Sequence, residues 1–182
     1  MKKVLGIKYY LLRDNGLTFV QYVIGIALIM LVLGVVFNSK ISLYFGQMRD
    51  TQRIADLSKV QQAIIQYYKD NGSYPLSTSI NEKKPYRIRG FKVDQPVIDW
   101  GEAWLPYLDT LPKDPNNQSS YVYYASPNGQ AYWLYASLED GSGNPSACNK
   151  GQMCPGLRSS GIPSNACGNI CNYGISSPNV SP

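Results

Sequence analysis

Four cysteines, Cys148, Cys154, Cys167 and Cys171, fall in the last third of a 182-residue chain that contains no histidine. A serine or cysteine nucleophile needs a base beside it, so the lack of imidazole removes Ser-His and Cys-His pairs and the commonest general acid–base group. The cysteine spacing is C-x5-C, then C-x12-C, then C-x3-C. All-cysteine zinc knots repeat a C-x2-C pair instead, so a metal centre fits poorly. In an exported domain an even number of cysteines means disulfides. Four cysteines allow three connectivities, and the sequential one, Cys148 with Cys154 and Cys167 with Cys171, is favoured because its loops are short and local. A second cluster, Lys83, Lys84, Arg87, Arg89 and Lys92, is interrupted by Tyr86 and Phe91. Basic residues interleaved with aromatics can grip nucleic acid; a solvated strand edge whose charges discourage pairing explains the same residues. With no nucleophile motif, no phosphate-cradling glycine loop and no metal constellation, the chain is predicted not to be an enzyme.

The elements that position these groups divide the chain into two materials. Lys plus Arg number 17 against 12 Asp plus Glu, a formal +5, and charged residues are 16% of the chain, too few for a disordered polyelectrolyte. Hydrophobic residues are 44% but unevenly placed: the 21 residues from Leu17 to Phe37 contain no acid or base. About 20 such residues in a helix cross a bilayer. Ahead of them Lys2, Lys3, Lys8 and Arg13 outweigh Asp14, which holds the N-terminus in the cytoplasm and exports the rest. A secretory signal peptide has a shorter apolar core, about 7–15 residues, ending at a small-x-small site; this one runs on into Asn38-Ser39-Lys40. Tyrosine is abundant, 15 against 4 Phe, which suits a half-wet sheet surface or an interface better than a dry interior.

The polar residues Thr18 and Gln21 near the start of the apolar run, with Gly16 just before it, carry a resemblance. A short basic leader ending in Gly, followed by an apolar residue, resembles the prepilin signature of type IV pilins and type II secretion pseudopilins. The resemblance implies cleavage between Gly16 and Leu17 by a prepilin peptidase and N-methylation of Leu17. It also implies assembly through the positions of Thr18 and Gln21. In the family the fifth mature residue is typically Glu, pairing with a neighbouring N-terminal amine; here it is Gln21, which accepts a hydrogen bond without the full charge attraction. Loss of the leader leaves thirteen basic against eleven acidic residues, a net +2.

Beyond Phe37 no proline occurs before Pro75, and helical spacing continues in Ile54, Leu57, Ile64, Ile65 and Tyr68, with Arg53, Asp56, Lys59 and Lys69 on the opposite side. Asp70-Asn71-Gly72 is a stop signal. One helix from Leu17 to Asp70 holds about 54 residues and reaches about 81 Å. Its end, AIIQYYKDNGSYP, resembles the end of the pilin spine helix. The predicted organisation is a leader over 1–16, a transmembrane and assembly helix over 17–37, the soluble half of the spine over 38–71, a connecting loop region over 72–120, a hairpin over 121–147 and a cysteine-containing region over 148–182. Within the connection, Ile98, Trp100, Trp104, Leu105, Tyr107 and Leu108 are predicted to form a short helix or turn over one end of the core. Tyr121–Ala125 and Ala131–Ser137 read as strands joined by Pro127-Asn128-Gly129.

The phrase Leu111-Pro-Lys-Asp-Pro115, the Tyr-x-Tyr strand after it and the acidic glycine turn that follows resemble the major, G-type pseudopilin of type II secretion. That subfamily binds calcium in a loop after its last strand, and the resemblance implies Glu139, Asp140, Ser142 and Asn144 as candidate ligands. The stapled tail is the competing means of ordering this region, since cross-links restrict the unfolded chain. The fold class so implied is α+β: a long N-terminal helix on a small antiparallel sheet, pilin-like, with a disulfide-stapled C-terminal region. The function implied is a filament subunit of a type IV pilus or secretion pseudopilus. It would sit as a single-pass protein of the bacterial inner membrane, C-terminus outside, before joining a homo-oligomeric helical filament through an inner-membrane assembly platform. A DNA-uptake or adhesion pilin using residues 83–92, and a membrane-tethered domain that never assembles, are the alternatives.

Overall fold

The computed structural model describes residues 19–89 and 96–182, with the side chains of 38–40 excepted; the expected cleavage residues Gly16 and Leu17, Thr18 and Lys92 lie outside these. The chain forms two compact units, one ending at Ser42 and one running from Leu43 to Pro182. Helix α1, Phe19–Asn71, contributes to both.

In the first unit α1 is long and apolar enough to cross a membrane, and none of its most apolar stretch is buried. From Phe19 to Phe37 every residue is exposed except half-buried Gly25.

In the second unit α1 turns one face inward. Gly46, Asp50, Arg53, Leu57, Val60, Ile64 and Tyr67 are all buried, at alternating spacings of four and three. Burying Leu57, Val60 and Ile64 in full stabilises the unit by about 1.5–3 kcal/mol each. The helix stops where Gly72 adopts φ 74° and donates its N–H to Tyr68 O at 2.8 Å, a left-handed C-terminal cap that glycine adopts without strain.

Six short strands make two antiparallel sheets. β1 (Leu76–Ser77), β2 (Ile88–Arg89) and β3 (Val97–Ile98) lie in that order, and β4 (Val122–Ala125), β5 (Tyr132–Ala136) and β6 (Tyr173–Ser176) form the second. Tyr123 pairs with Leu134 and Leu134 with Ile175. The 72–120 segment, expected as loop, thus holds a small sheet, and the cysteine region supplies both a strand and the short helix α2 (Gly156–Ser160). Trp104 is buried and pairs with Leu108 in a tight turn, but Leu105 points out at 69% exposure instead of covering the core.

Strand alternation separates two apolar layers. Tyr121, Tyr123, Tyr132, Leu134 and Tyr173 pack with Leu57, Val60, Ile64 and Tyr67 of α1. Val122, Trp133 and Tyr135 face the other way, onto Cys154, Leu157, Ile162, Cys167 and Cys171. Both faces of the sheet are therefore covered, and all five residues of β5 are buried. This corrects the expectation of a half-wet tyrosine surface. Three of the buried tyrosines have partners for their hydroxyls inside: Tyr121 donates to Asp56 Oδ2 at 2.7 Å, Tyr123 donates to Pro75 O at 2.6 Å, and Gln61 Nε2 donates to Tyr132 Oη at 3.1 Å.

Candidate functional site

Two surfaces of α1 carry the chemistry, one in each unit. In the first, Gln21 lies on the exposed apolar stretch, with Phe19 83% and Leu31 65% exposed around it. Water makes such a surface costly at about 25 cal/mol per Å², so it has to be covered by lipid or by other apolar surface.

In the second unit the inward face of α1 begins with charges. Arg53 is fully buried, and its guanidinium forks onto Asp114, Nε to Oδ2 at 2.9 Å and Nη2 to Oδ1 at 3.0 Å. Its Nη1 reaches Asp50 Oδ1 at 2.8 Å and Glu139 Oε1 at 3.0 Å. Asp50 in turn accepts the backbone N–H of Glu139 and of Asp140, each at 2.8 Å. Arg49 closes the outer side with a second fork onto Glu139, at 2.7 and 2.5 Å, and Gln47 Nε2 donates to Asp140 Oδ2 at 2.9 Å. Burial alone would lower the proton affinity of Arg53, and the hydrogen bonds to Asp114, Asp50 and Glu139 outweigh it, holding the group well above its ordinary value. Glu139 is held below the usual carboxylate range, first by its bonds to Arg49 and then by Arg53, against the opposing effect of burial. Asp56, next along the helix, is pushed up by burial, and the bond from Tyr121 opposes that shift.

The clamp ties α1 to two loops at once. Asp114 belongs to the Leu111–Pro115 phrase, where its Oδ1 also accepts the Asn116 N–H at 2.8 Å. Glu139 and Asp140 belong to the loop after β5. Arg53 was expected on the solvent side with Asp56 and is instead buried, whereas Ile65, assigned to the inward face, is 39% exposed. A charged residue reads as surface in a hydropathy pattern; the four-three spacing from Gly46 to Tyr67 is the signal that places it inside.

Three of the four candidate calcium ligands are engaged by protein groups. Glu139 is committed to the two arginines, Asp140 to Gln47, and Asn144 Oδ1 accepts the Ser146 N–H at 2.9 Å. Among the described residues no group of three or more acids, histidines or cysteines could hold a metal ion. Protein groups also hold this loop. Asn172 pairs with both backbone groups of Leu138, accepting its N–H at 2.7 Å and donating to its C=O at 3.1 Å. A Cβ on Gly141 would meet Asn172 Nδ2 at 2.3 Å, so only glycine allows this approach.

The tail after β5 is stapled by Cys148–Cys154 and Cys167–Cys171. For loops this short the chain-entropy account gives about 2 kcal/mol each. The staples also frame β6: Cys148 donates its N–H to Asn172 O at 2.7 Å, and Cys154 donates to Cys171 O at 3.1 Å.

Three of the five residues of the basic cluster are paired within the fold. Lys84 Nζ sits 3.0 Å from Asp99, Arg87 Nε 2.5 Å from the same carboxylate, and Arg89 pairs with Glu82. The Arg87 guanidinium also lies over the Trp100 ring at 5.9 Å. β2 is the central strand of its sheet, which corrects the strand-edge expectation. Asp99 is held below its usual value because the bonds from Arg87 and Lys84 outweigh the burial that would raise it.

No protein-family model, no curated protein and no solved structure matches the chain.

Proposed function

We propose that the chain is a structural subunit of a type IV pilus-like or type II secretion pseudopilus filament. In this reading a prepilin peptidase trims it after Gly16, it waits in the inner membrane with its outer domain exported, and it joins the filament by exchanging lipid for neighbouring helices. It turns over no substrate. The observation that carries the reading is the contrast within α1: a charge-free apolar stretch that the described residues leave exposed, and a second unit with its own closed core. Such a stretch has two possible partners, lipid and copies of itself, and a heterologous contact between copies that does not close into a ring propagates as a fibre. Lys84, Arg87 and Arg89 are each paired with acids, which leaves less unpaired positive charge for the nucleic-acid alternative.

The test is Gly16→Asp in the native host. The proposal expects a precursor longer by the leader, retained in the membrane fraction and absent from filaments sheared off the cells. Unchanged migration on a gel together with unchanged filament content would refute it.

A further inference from the structure

The apolar surface of α1 does not stop with the membrane-competent run. Ile41, Tyr44, Phe45 and Met48 are 48–63% exposed. Ile41, Tyr44 and Met48 recur at helical spacing on the side of α1 away from buried Gly46, Asp50 and Arg53. Further along that outer side the residues are polar: Lys59, Gln62 and Gln66 are exposed. The apolar stripe is thus confined to the two turns nearest the membrane-competent run. Thirty helical residues separate the limits Phe19 and Met48, inclusive. At 1.5 Å each they span about 45 Å, more than the roughly 30 Å hydrocarbon core and equal to about 40–45 Å with both headgroup zones.

We infer that Tyr44, Phe45 and Met48 form a lipid-interface collar, seated in the outer headgroup zone while the chain is in the membrane. The residue types fit that place. Tyrosine and phenylalanine present an apolar body, tyrosine adds a hydroxyl for the wet side, and aromatic belts gather at membrane–water boundaries. Arg49 follows immediately, paired with Glu139, and marks the start of the aqueous domain. The collar's role is to seat the exported domain against the membrane surface and fix how far α1 can slide along its axis. This inference rests on the membrane-spanning reading of Phe19–Phe37 and does not require that the chain assemble.

The test uses the full chain in vesicles of phosphatidylcholine with phosphatidylglycerol at low protein-to-lipid ratio. All four native cysteines are in disulfides, so a nitroxide attaches only to an introduced one. Labels at Tyr44→Cys and Met48→Cys are compared with Leu31→Cys, inside the apolar run, and Gln62→Cys, on the polar continuation of the outer side. Relaxation by oxygen reports lipid, and relaxation by a water-soluble nickel chelate reports solvent. The inference expects the oxygen-to-chelate ratio at 44 and 48 to lie several-fold above that at 62 and below that at 31. Ratios at 44 and 48 equal to that at 62 overturn it. So does protection that appears only when the protein-to-lipid ratio is raised, which assigns the stripe to a second copy. A solvent-like Leu31 label overturns the membrane-spanning reading itself, and the collar with it.

Discussion

Two stretches of the same helix invert the usual relation between residue type and burial. From Phe19 to Phe37 apolar side chains stand exposed. From Gly46 to Arg53 the inward positions include an aspartate and an arginine, both fully buried. Each stretch is intelligible only through its partner. The charges are stable inside because Arg53 meets three carboxylates and Asp50 satisfies two backbone N–H groups, since a buried charge is tolerated only when paired and hydrogen-bonded. The apolar stretch is left exposed by the described residues, and the proposed function supplies its cover from lipid and then from other copies. In this protein polarity marks where the chain closes on itself, and hydrophobicity marks where it is left open.

Arg53→Met removes the cation and leaves the buried carboxylates of Asp50 and Asp114 without it. It should lower the unfolding free energy of the second unit by about 3–5 kcal/mol, read by denaturant titration of tryptophan fluorescence in detergent, since Trp100, Trp104 and Trp133 all lie in that unit. A loss under about 1 kcal/mol, the range of exposed ion pairs, would show that the clamp is as weak as surface pairs. Replacing Cys167 and Cys171 together by serine should cost about 2 kcal/mol on the same titration, and hydrogen exchange should rise first in β6.

Acid provides a finer probe. Glu139 has its folded pKa depressed, so its contribution is present above its unfolded value and lost as pH falls through the folded one. The second unit should therefore weaken below about pH 4.5, the ordinary glutamate range, and Glu139→Gln should flatten that acid limb while lowering stability at neutral pH. An unchanged acid limb in Glu139→Gln would remove Glu139 from the account. Asp56 acts with the opposite sign: its raised pKa means that protonation relieves strain, so Asp56→Asn should not add to acid sensitivity. The smallest effect sharpens the contrast from the other side. Leu31→Ser, on the exposed stretch, should leave that unfolding free energy within about 0.5 kcal/mol of the parent while reducing membrane retention and filament content. Gln21→Glu should raise filament incorporation where pairing with an N-terminal amine limits assembly, and unchanged incorporation would show that the missing acid is not limiting.

Much of the architecture could be read from residue types. The apolar run announces itself, the Asn71-Gly72 stop ends α1, and the hairpin is marked by Pro127-Asn128-Gly129, where Gly129 takes φ 64°. β1, β2 and β3 are two residues each, too short for any periodicity to show. β6 was hidden for a different reason: Tyr173-Gly174-Ile175-Ser176 sits in a glycine- and serine-rich tail, and it is a strand because the staples and Asn172 hold it beside β5. The clamp was hidden because Asp50 and Arg53 carry the signature of a solvated face. Their role depends on Asp114 and Glu139, sixty to ninety residues away, which no local pattern connects to them.

The central claim, that the exposed stretch of α1 is covered by other copies of this chain in a filament, is tested most directly in the native host by shearing the cells. The high-speed pellet of the sheared fraction is then imaged by electron microscopy with an antibody against the second unit. The account predicts thin filaments labelled along their length, containing the chain shortened by its leader. The chain found only in the membrane fraction, with no labelled filament in the sheared material, would contradict it.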